Sequence, residues 1–400
     1  MTKYAIFKEA DLPLDVVILL IAGMTSLITG VLLFPVSSGA LPYYENGLYG
    51  LLLFMFALQI ITMGKTPFGD MRRTKPLLAG GLVIAIIGVL TCFAPDILGQ
   101  LPRMLLFVCF GPGGLLLLLQ MCFAKDKLRT WVKHGGIFWY LIIGCSAVYV
   151  LSMLIALLLW KQNLLTTAMT AVVMLIYGTA ITYLAGVLWK LYGTYPDTKK
   201  SHKEDFELST DRAMLLLMGI FLMLIGIIIV PVSLKMFPFS GSAQLGLMMV
   251  IFAFQMLAYG GTPIGPFARS WPVILFGLLF AALGIVSCII PHILVVLLTY
   301  LIGVLNILGG VIGLKKICVP FLKESESNQE PVPPVLMKLF AAQIIMNLCP
   351  IMFGTSMLNP NLIPGLVIPV VLIAFGCITL YLLHLMITLD KMRHTIENDT

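Results

Sequence analysis

The chain has 400 residues, of which 60% are hydrophobic and only 11% are charged, and its mean hydropathy is +1.04. A soluble domain of this length carries about 25% charged residues, because its surface must be covered by polar groups. The composition therefore excludes a soluble globular enzyme, a disordered chain and a secreted disulfide scaffold, and it predicts an all-α polytopic membrane protein.

The amino-terminal segment predicts a membrane span that is kept rather than a signal peptide that is removed. A polar lead ending at Asp11 is followed by an apolar stretch from Val16 to Val36. This stretch is longer than the apolar region of a signal peptide, and no small-residue cleavage site follows it. We therefore expect it to be the first transmembrane helix.

Further apolar runs of suitable length follow along the whole chain. A bilayer core about 30 Å thick needs roughly 20 apolar residues per helix, and an open sheet would leave backbone groups unpaired in lipid. The sequence predicts twelve transmembrane helices, near 15–36, 47–64, 76–94, 102–123, 137–160, 164–189, 212–233, 243–260, 272–290, 292–314, 334–357 and 361–388.

The net charge of +7 comes from basic residues that concentrate in alternate loops. The basic loops are 65–75, 124–136, 190–211 and 315–333, whereas the other loops hold only Arg103, Lys161 and Lys235. By the positive-inside rule, both termini and the basic loops face the cytoplasm. Membrane lipids, with anionic headgroups at these loops, are the expected partners, and nucleic acid is not. The composition of residues 320–334 predicts a flexible stretch that ends in a stiff proline tract.

The chain is internally duplicated. Shifted by 196 residues it matches itself without gaps, and 25 of the 76 positions between 23 and 98 are identical. The predicted organisation is a first six-span repeat (1–192), a cytoplasmic connector (193–211) and a second six-span repeat (212–400). Because six is an even number, both copies start on the same side of the membrane. This predicts parallel repeats, related by a twofold axis along the membrane normal.

A motif of two glycines seven residues apart, followed by a proline, occurs twice in each repeat. Seven residues are about two helical turns, so both glycines lie on one helix face and allow a neighbouring backbone to approach closely. The proline is expected to end the helix. We interpret the motif as a helix-packing element and expect each repeat to be built from helical hairpins. Its members are Gly23, Gly30, Pro35, Gly81, Gly88, Pro95, Gly219, Gly226, Pro231, Gly277, Gly284 and Pro291.

These residues resemble the HdeD family of acid-resistance membrane proteins, six-span proteins of the bacterial inner membrane. The stretch that matches best is residues 270–314, and its matching positions are Trp271, Pro272, Gly277, Gly284, Pro291, Gly303, Gly309 and Gly310. This chain has twice the family's length, and its last hairpins do not match. The resemblance implies a multi-pass protein of the bacterial inner membrane with a stress-related role and no catalytic residues.

Four polar residues within the spans are candidates for buried contacts or for lining a path: Gln59, Gln255, Asn306 and His384. The two glutamines occupy equivalent positions, and a glutamine in lipid must find a partner, so both are expected to point inward. The plainer hypothesis is that they hold helices together, and the functional one is that they line a path or a ligand pocket. For His384, a packed or interfacial histidine is the plainer hypothesis and a proton relay the other.

Two turn-like motifs complete the set. GKTPFG at 64–69 recurs as GGTPIG at 260–265, and each follows a glutamine by a few residues. Threonine, proline and glycine in this order are typical of a helix end and turn, here beside anionic headgroups. GPGG at 111–114 lies within a span, where it predicts a kinked or broken helix, either for packing or for binding.

Three classes of function stay open. The first is a non-enzymatic, HdeD-like, stress-related membrane protein, and the alternative is a transporter or channel for a small solute with a path between the two repeats. An intramembrane enzyme ranks last, because no paired carboxylates, nucleophile motif or metal-ligand spacing occurs, and no cofactor is expected. The eight cysteines form no CxxC pair and are expected to be small packing groups.

Overall fold

The computed structural model describes residues 12–71, 74–124, 127–161, 164–195, 210–234, 236, 238–327, 334–359, 361–362 and 364–399. Most of the connector, the proline tract at 331–334 except its last residue, and several loop lysines and arginines lie outside the described residues. The charge-based prediction of orientation therefore remains a prediction at those positions.

The described chain is almost entirely helical. Its elements are α1 (Leu14–Ser37), α2 (Glu45–Met63), β1 (Lys65–Thr66), β2 (Gly69–Asp70), α3 (Lys75–Phe93), α4 (Leu101–Phe123), α5 (Leu128–His134), α6 (Ile137–Trp160), α7 (Thr167–Thr194), α8 (Thr210–Ser233), α9 (Gly241–Tyr259), β3 (Gly261–Thr262), β4 (Gly265–Pro266), α10 (Trp271–Ile289), α11 (Val295–Ser327), α12 (Pro334–Leu358) and α13 (Val367–Asp399).

Twelve of these helices are long and apolar enough to cross a membrane. They confirm the prediction of an all-α polytopic membrane protein. Only α5 was not expected, a seven-residue helix in the basic loop 124–136. The flexible stretch predicted from residue 320 is wrong as far as Ser327, because α11 continues through it as a helix.

The prolines of the packing motif lie at helix ends but do not all end the helix. The helices α3 and α10 stop two residues before Pro95 and Pro291. In contrast, α1 and α8 continue two residues past Pro35 and Pro231. A proline in the last turn of a helix removes one backbone hydrogen bond without obliging the chain to turn at that residue.

The chain forms two compact units. The first comprises residues 1–207, 239–261 and 267–295, and the second comprises residues 208–238, 262–266 and 296–400. The first unit therefore contains α9 and α10 in addition to α1–α7, so the compact units differ from the two halves of the sequence. The division of the sequence into two repeats is not the same as this division into compact units, and it stays a prediction.

Helices pair in the same order in both halves. Within the first unit α1 packs on α7, α2 on α3, α4 on α6, and α9 on α10; within the second unit α8 packs on α13. Consecutive spans therefore form hairpins at α2–α3, α4–α6 and α9–α10, whereas α1 and α8 pack on the last long helix of their halves. The glycine face of α3 is turned toward the preceding helix, and that of α1 toward α7, the last long helix of its half.

The motif glycines lie at these contacts. At each of the eight, an added Cβ would come within 3.0 Å of an atom of a neighbouring helix, and at Gly88 and Gly284 the neighbours include backbone carbonyls, those of Gly50 and Gly246. Two backbones in contact leave no side chain that could move aside, so these positions require glycine. The partner glycines on α2 and α9 were not singled out from the sequence.

Two long-range hydrogen bonds of the first unit join equivalent ends of α2–α3 and α9–α10. The amide of Tyr44 donates to the carbonyl of Ile289 at 2.9 Å, and the amide of Ser240 donates to the carbonyl of Phe93 at 2.9 Å. Ser240 lies 196 residues after Tyr44, and Ile289 lies 196 residues after Phe93. The two bonds are therefore reciprocal, as in an interface with twofold symmetry.

Candidate functional site: two re-entrant hairpins

The GKTPFG motif forms a short hairpin rather than a simple helix end. Gly64 ends α2 in the left-handed conformation, with φ of 68°, and accepts a hydrogen bond from the amide of Met71 at 3.2 Å. The hydroxyl of Thr66 donates to the carbonyl of Gly69 at 2.7 Å and accepts from the amide of Phe68 at 3.2 Å. The turn is therefore stabilised by its own residues. Glycine, which has no side chain, tolerates the positive φ, and the threonine hydroxyl bonds to the backbone of the turn.

The second copy of the motif repeats this geometry. Gly260 has φ of 70° and accepts from the amide of Phe267 at 3.0 Å, and the hydroxyl of Thr262 donates to the carbonyl of Gly265 at 2.6 Å. The glycines that follow the proline have φ of 133° in the first copy and 129° in the second. The duplicated sequence thus produces the same backbone conformation twice.

Both hairpins lie alongside the middle of a span rather than beyond its end. An added Cβ at Gly113 would come within 2.8 Å of the carbonyl oxygen of Pro67, and one at Gly309 would overlap the carbonyl oxygen of Pro263. Gly113 is followed by ten further residues of α4, about 15 Å of helix. We therefore call the hairpins re-entrant, in the sense that their tips fold back alongside a span instead of lying beyond its end.

This contact explains the paired glycines of GPGG. The first glycine of each pair, Gly113 or Gly309, packs against the hairpin. The second, Gly114 or Gly310, packs against the next long helix. The expected break in the helix is absent, since α4 continues through the motif to Phe123. Pro112 is exposed and contributes to neither contact.

A polar side chain of α4 holds the first hairpin, and one of α11 lies beside the second. The amide of Gln120 on α4 donates to the carbonyl of Phe68 at 2.8 Å. Residue 316 is the equivalent position on α11. There the amine of Lys316 lies 3.3 Å from the point that a Cβ added at Gly265 would occupy. Neither residue was predicted, although the 196-residue shift aligns both and offered a signal for them.

An ion pair joins the first hairpin to two helices. The amine of Lys65 lies 2.8 Å from a carboxylate oxygen of Asp15 on α1, and the hydroxyl of Tyr192 on α7 donates to the same oxygen at 2.7 Å. The side chain of Lys65 is 43% exposed and that of Asp15 is 17% exposed. The pair is therefore half in solvent, where its net contribution to stability is modest.

The two predicted glutamines lie close before the hairpins on the two most enclosed spans. Of the spans, α2 and α9 are the most buried, at 72% and 83%. Gln59 and Gln255 are half-buried, and neither side-chain amide has a hydrogen-bond partner among the described residues. The Cβ of Gln255 lies 3.9 Å from the Cβ position of Gly261 in the second hairpin.

The other two predicted residues do not join this site. Asn306 is half-buried on α11, and its amide donates to the carbonyl of Ile302 in the same helix at 2.8 Å. His384 on α13 is exposed, so it is neither packed nor part of a buried relay within its unit.

The first hairpin is surrounded by backbone groups, a threonine hydroxyl, the amide of Gln120, the amine of Lys65 and the carboxylate of Asp15. The second has backbone groups, a threonine hydroxyl and the amine of Lys316. Among the described residues no group of three or more His, Cys, Asp or Glu side chains could hold a metal ion. Comparison with protein-family models, with curated proteins and with solved structures finds no match for this chain. The fold and the site thus define an integral membrane protein with a pair of re-entrant hairpins.

Proposed function

We propose that this integral membrane protein is a transporter or channel for a small polar solute, with the two re-entrant hairpins at its solute path. The observation that carries the proposal is the pair of half-buried glutamines without direct partners, each a few residues before a hairpin. An amide in lipid without a partner is costly, whereas an amide in contact with water is not.

The hairpins support the same proposal. Non-helical backbone beside the spans is typical of transporter binding sites, where backbone and side-chain dipoles face the solute. Here two such segments, 64–69 and 260–265, connect consecutive spans at equivalent positions of a duplicated chain.

The arrangement in the membrane is part of the proposal. We infer parallel repeats, both termini and the 193–211 connector in the cytoplasm, basic loops against anionic headgroups, and a bacterial inner membrane. The reciprocal bonds of Tyr44 and Ser240 support parallel repeats. Each residue bonds to the end of a helix in the other repeat, so the same ends of both repeats lie next to each other. External labelling of a Lys200→Cys variant by a membrane-impermeant maleimide would contradict the orientation.

The proposal is tested by whether water reaches the glutamines. In proteoliposomes, cysteines at Gln59→Cys and Gln255→Cys are exposed to a charged methanethiosulfonate reagent, which reacts with hydrated thiols. Each variant is made in a background without the eight native cysteines. We expect both to react, and osmotic swelling in urea or glycerol gradients to exceed that of protein-free liposomes.

The matched control is Leu275→Cys, because this side chain is 69% exposed on the apolar surface of α10. It is expected to react far more slowly than the glutamine positions. If all three react equally slowly, the glutamine sites are dry and the proposed path does not exist. That result would return the non-enzymatic, HdeD-like stress-related role to first place.

A further inference from the structure

Two cysteines meet at the reciprocal contact in the first unit. Cys92 precedes the last residue of α3, and Cys288 precedes the last residue of α10, 196 residues later. Both are fully buried, and neither is in a disulfide bond. No part of the proposed solute path uses either thiol.

Their sulfur atoms converge on one backbone oxygen. The carbonyl oxygen of Ala243 lies 3.9 Å from the sulfur of Cys92 and 3.6 Å from that of Cys288. The sulfur of Cys92 has one further acceptor, the carbonyl of Gly47, at 3.8 Å.

Small residues allow this approach from both sides. An added Cβ at Gly50 would lie 2.7 Å from the Cβ of Cys92, and one at Gly246 would lie 2.7 Å from the sulfur of Cys288. Each cysteine thus packs on a glycine of its partner helix, and the two glycines are themselves 196 residues apart. The hydrogen-bond acceptors that the two thiols contact are backbone carbonyls, those of Gly47 and Ala243.

We propose that Cys92 and Cys288 form an intramolecular disulfide bond under oxidising conditions and thereby tie α3 to α10. A disulfide is neutral and apolar, so it fits a fully buried site better than two thiolates around a metal ion would. The site lies at the helix ends that the charge distribution places outside the cytoplasm, where disulfides persist. The reciprocal backbone bonds already hold the two chain segments in register.

The oxidant is dissolved dioxygen, which is small and apolar enough to enter a membrane protein. The two thiols lose two protons and two electrons, an S–S bond forms, and the oxygen is reduced to hydrogen peroxide. No other group of the chain changes its oxidation state.

The test uses a full-length variant that keeps only Cys92 and Cys288 and carries a protease site between residues 196 and 209. Membranes are treated with copper phenanthroline in air, cut with the protease and run on a denaturing gel without reductant. The two halves are expected to migrate together and to separate after reduction. Separate halves without reductant, with both thiols still open to alkylation, would overturn the proposal.

Two further measurements make the result specific. The matched control keeps Cys145 and Cys288 instead, because Cys145 lies in another part of the same unit, packed with Leu141 and Leu184. It is expected to give separate halves. Unmutated protein gives a second test: after oxidation and unfolding it should take up two fewer alkyl groups than reduced protein. Eight adducts after oxidation, or a peptide map with a different linked pair, would contradict the proposal.

Discussion

The two re-entrant hairpins share their backbone geometry but not their charges. The glycine that ends the preceding helix, and the threonine, proline and glycine of the turn, are identical in both. The lysine, in contrast, belongs to the hairpin in the first copy (Lys65) and to the supporting helix in the second (Lys316). A left-handed turn and its internal hydrogen bond depend on particular residues at particular positions. A positive charge can act from any nearby position, because the electrostatic interaction depends on distance.

The exchange also changes how each hairpin is held. In the first copy the lysine binds Asp15, which also accepts from Tyr192, so the hairpin is joined to α1 and α7. In the second copy Gly261 stands at the position of Lys65 and carries no amine. Among the described residues Lys316 forms no ion pair. The lysine of the first hairpin therefore joins it to α1 by an ion pair, whereas the lysine beside the second hairpin forms no ion pair among the described residues.

The largest expected effect comes from filling the space under a hairpin. Gly113→Val and Gly309→Val should each lower the free energy of unfolding by about 1–3 kcal/mol, because the new side chain meets a backbone carbonyl that cannot rotate away. The loss should be greater at Gly309, where the overlap is closer. Thermal unfolding in detergent measures it.

Gly80→Val is the control for this pair. An added Cβ at Gly80 has no neighbour within 4 Å, so the substitution changes only the intrinsic preference of the helix. Equal losses at all three positions would mean that the hairpins do not rest on the paired glycines.

The shared turn chemistry should respond equally in both copies. Thr66→Val and Thr262→Val keep the shape of the side chain but remove the hydroxyl that donates to Gly69 or Gly265. Each should lower the free energy of unfolding by about 1 kcal/mol. Thr179→Val, on the exposed face of α7, is the comparison. A loss in one copy alone would show that the turns are held differently.

The charge difference should appear as an asymmetry between the lysines. Lys65→Met removes the ion pair with Asp15 and should lower the free energy of unfolding by roughly 0.5–1 kcal/mol at low salt. The effect should shrink in 1 M salt, where exposed charges are screened. Lys316→Met is expected to change it less and without salt dependence. The same salt response at both positions would mean that the two hairpins do not differ in how their lysines contribute to stability.

The smallest effect on stability is expected at the glutamines. Gln59→Leu and Gln255→Leu should change the free energy of unfolding by less than about 0.5 kcal/mol, because no direct hydrogen bond is lost. Solute flux per folded molecule should change instead. A loss of roughly 1–2 kcal/mol with unchanged flux would favour glutamines that join helices, the plainer hypothesis from the sequence.

Sequence reasoning succeeded where the signal was local or repeated. Runs of apolar residues predicted the spans within a few residues at most ends, and glycine spacing identified the faces at which helices meet. It did not identify which helices meet. A glycine face indicates that another backbone approaches but not which one, so the contact of α1 with α7 could not be read from the sequence.

The sequence by itself determined the class of protein, the number of spans and the position of a helix end and turn at both motifs, because hydropathy and backbone preference act over short distances. Only the tertiary structure decided that the turns fold back alongside spans, that Gln120 bonds the first of them, and that Cys92 and Cys288 approach the same carbonyl, that of Ala243. These contacts join residues that are far apart in the sequence. Their formation depends on how whole helices pack, which no local pattern of residues specifies.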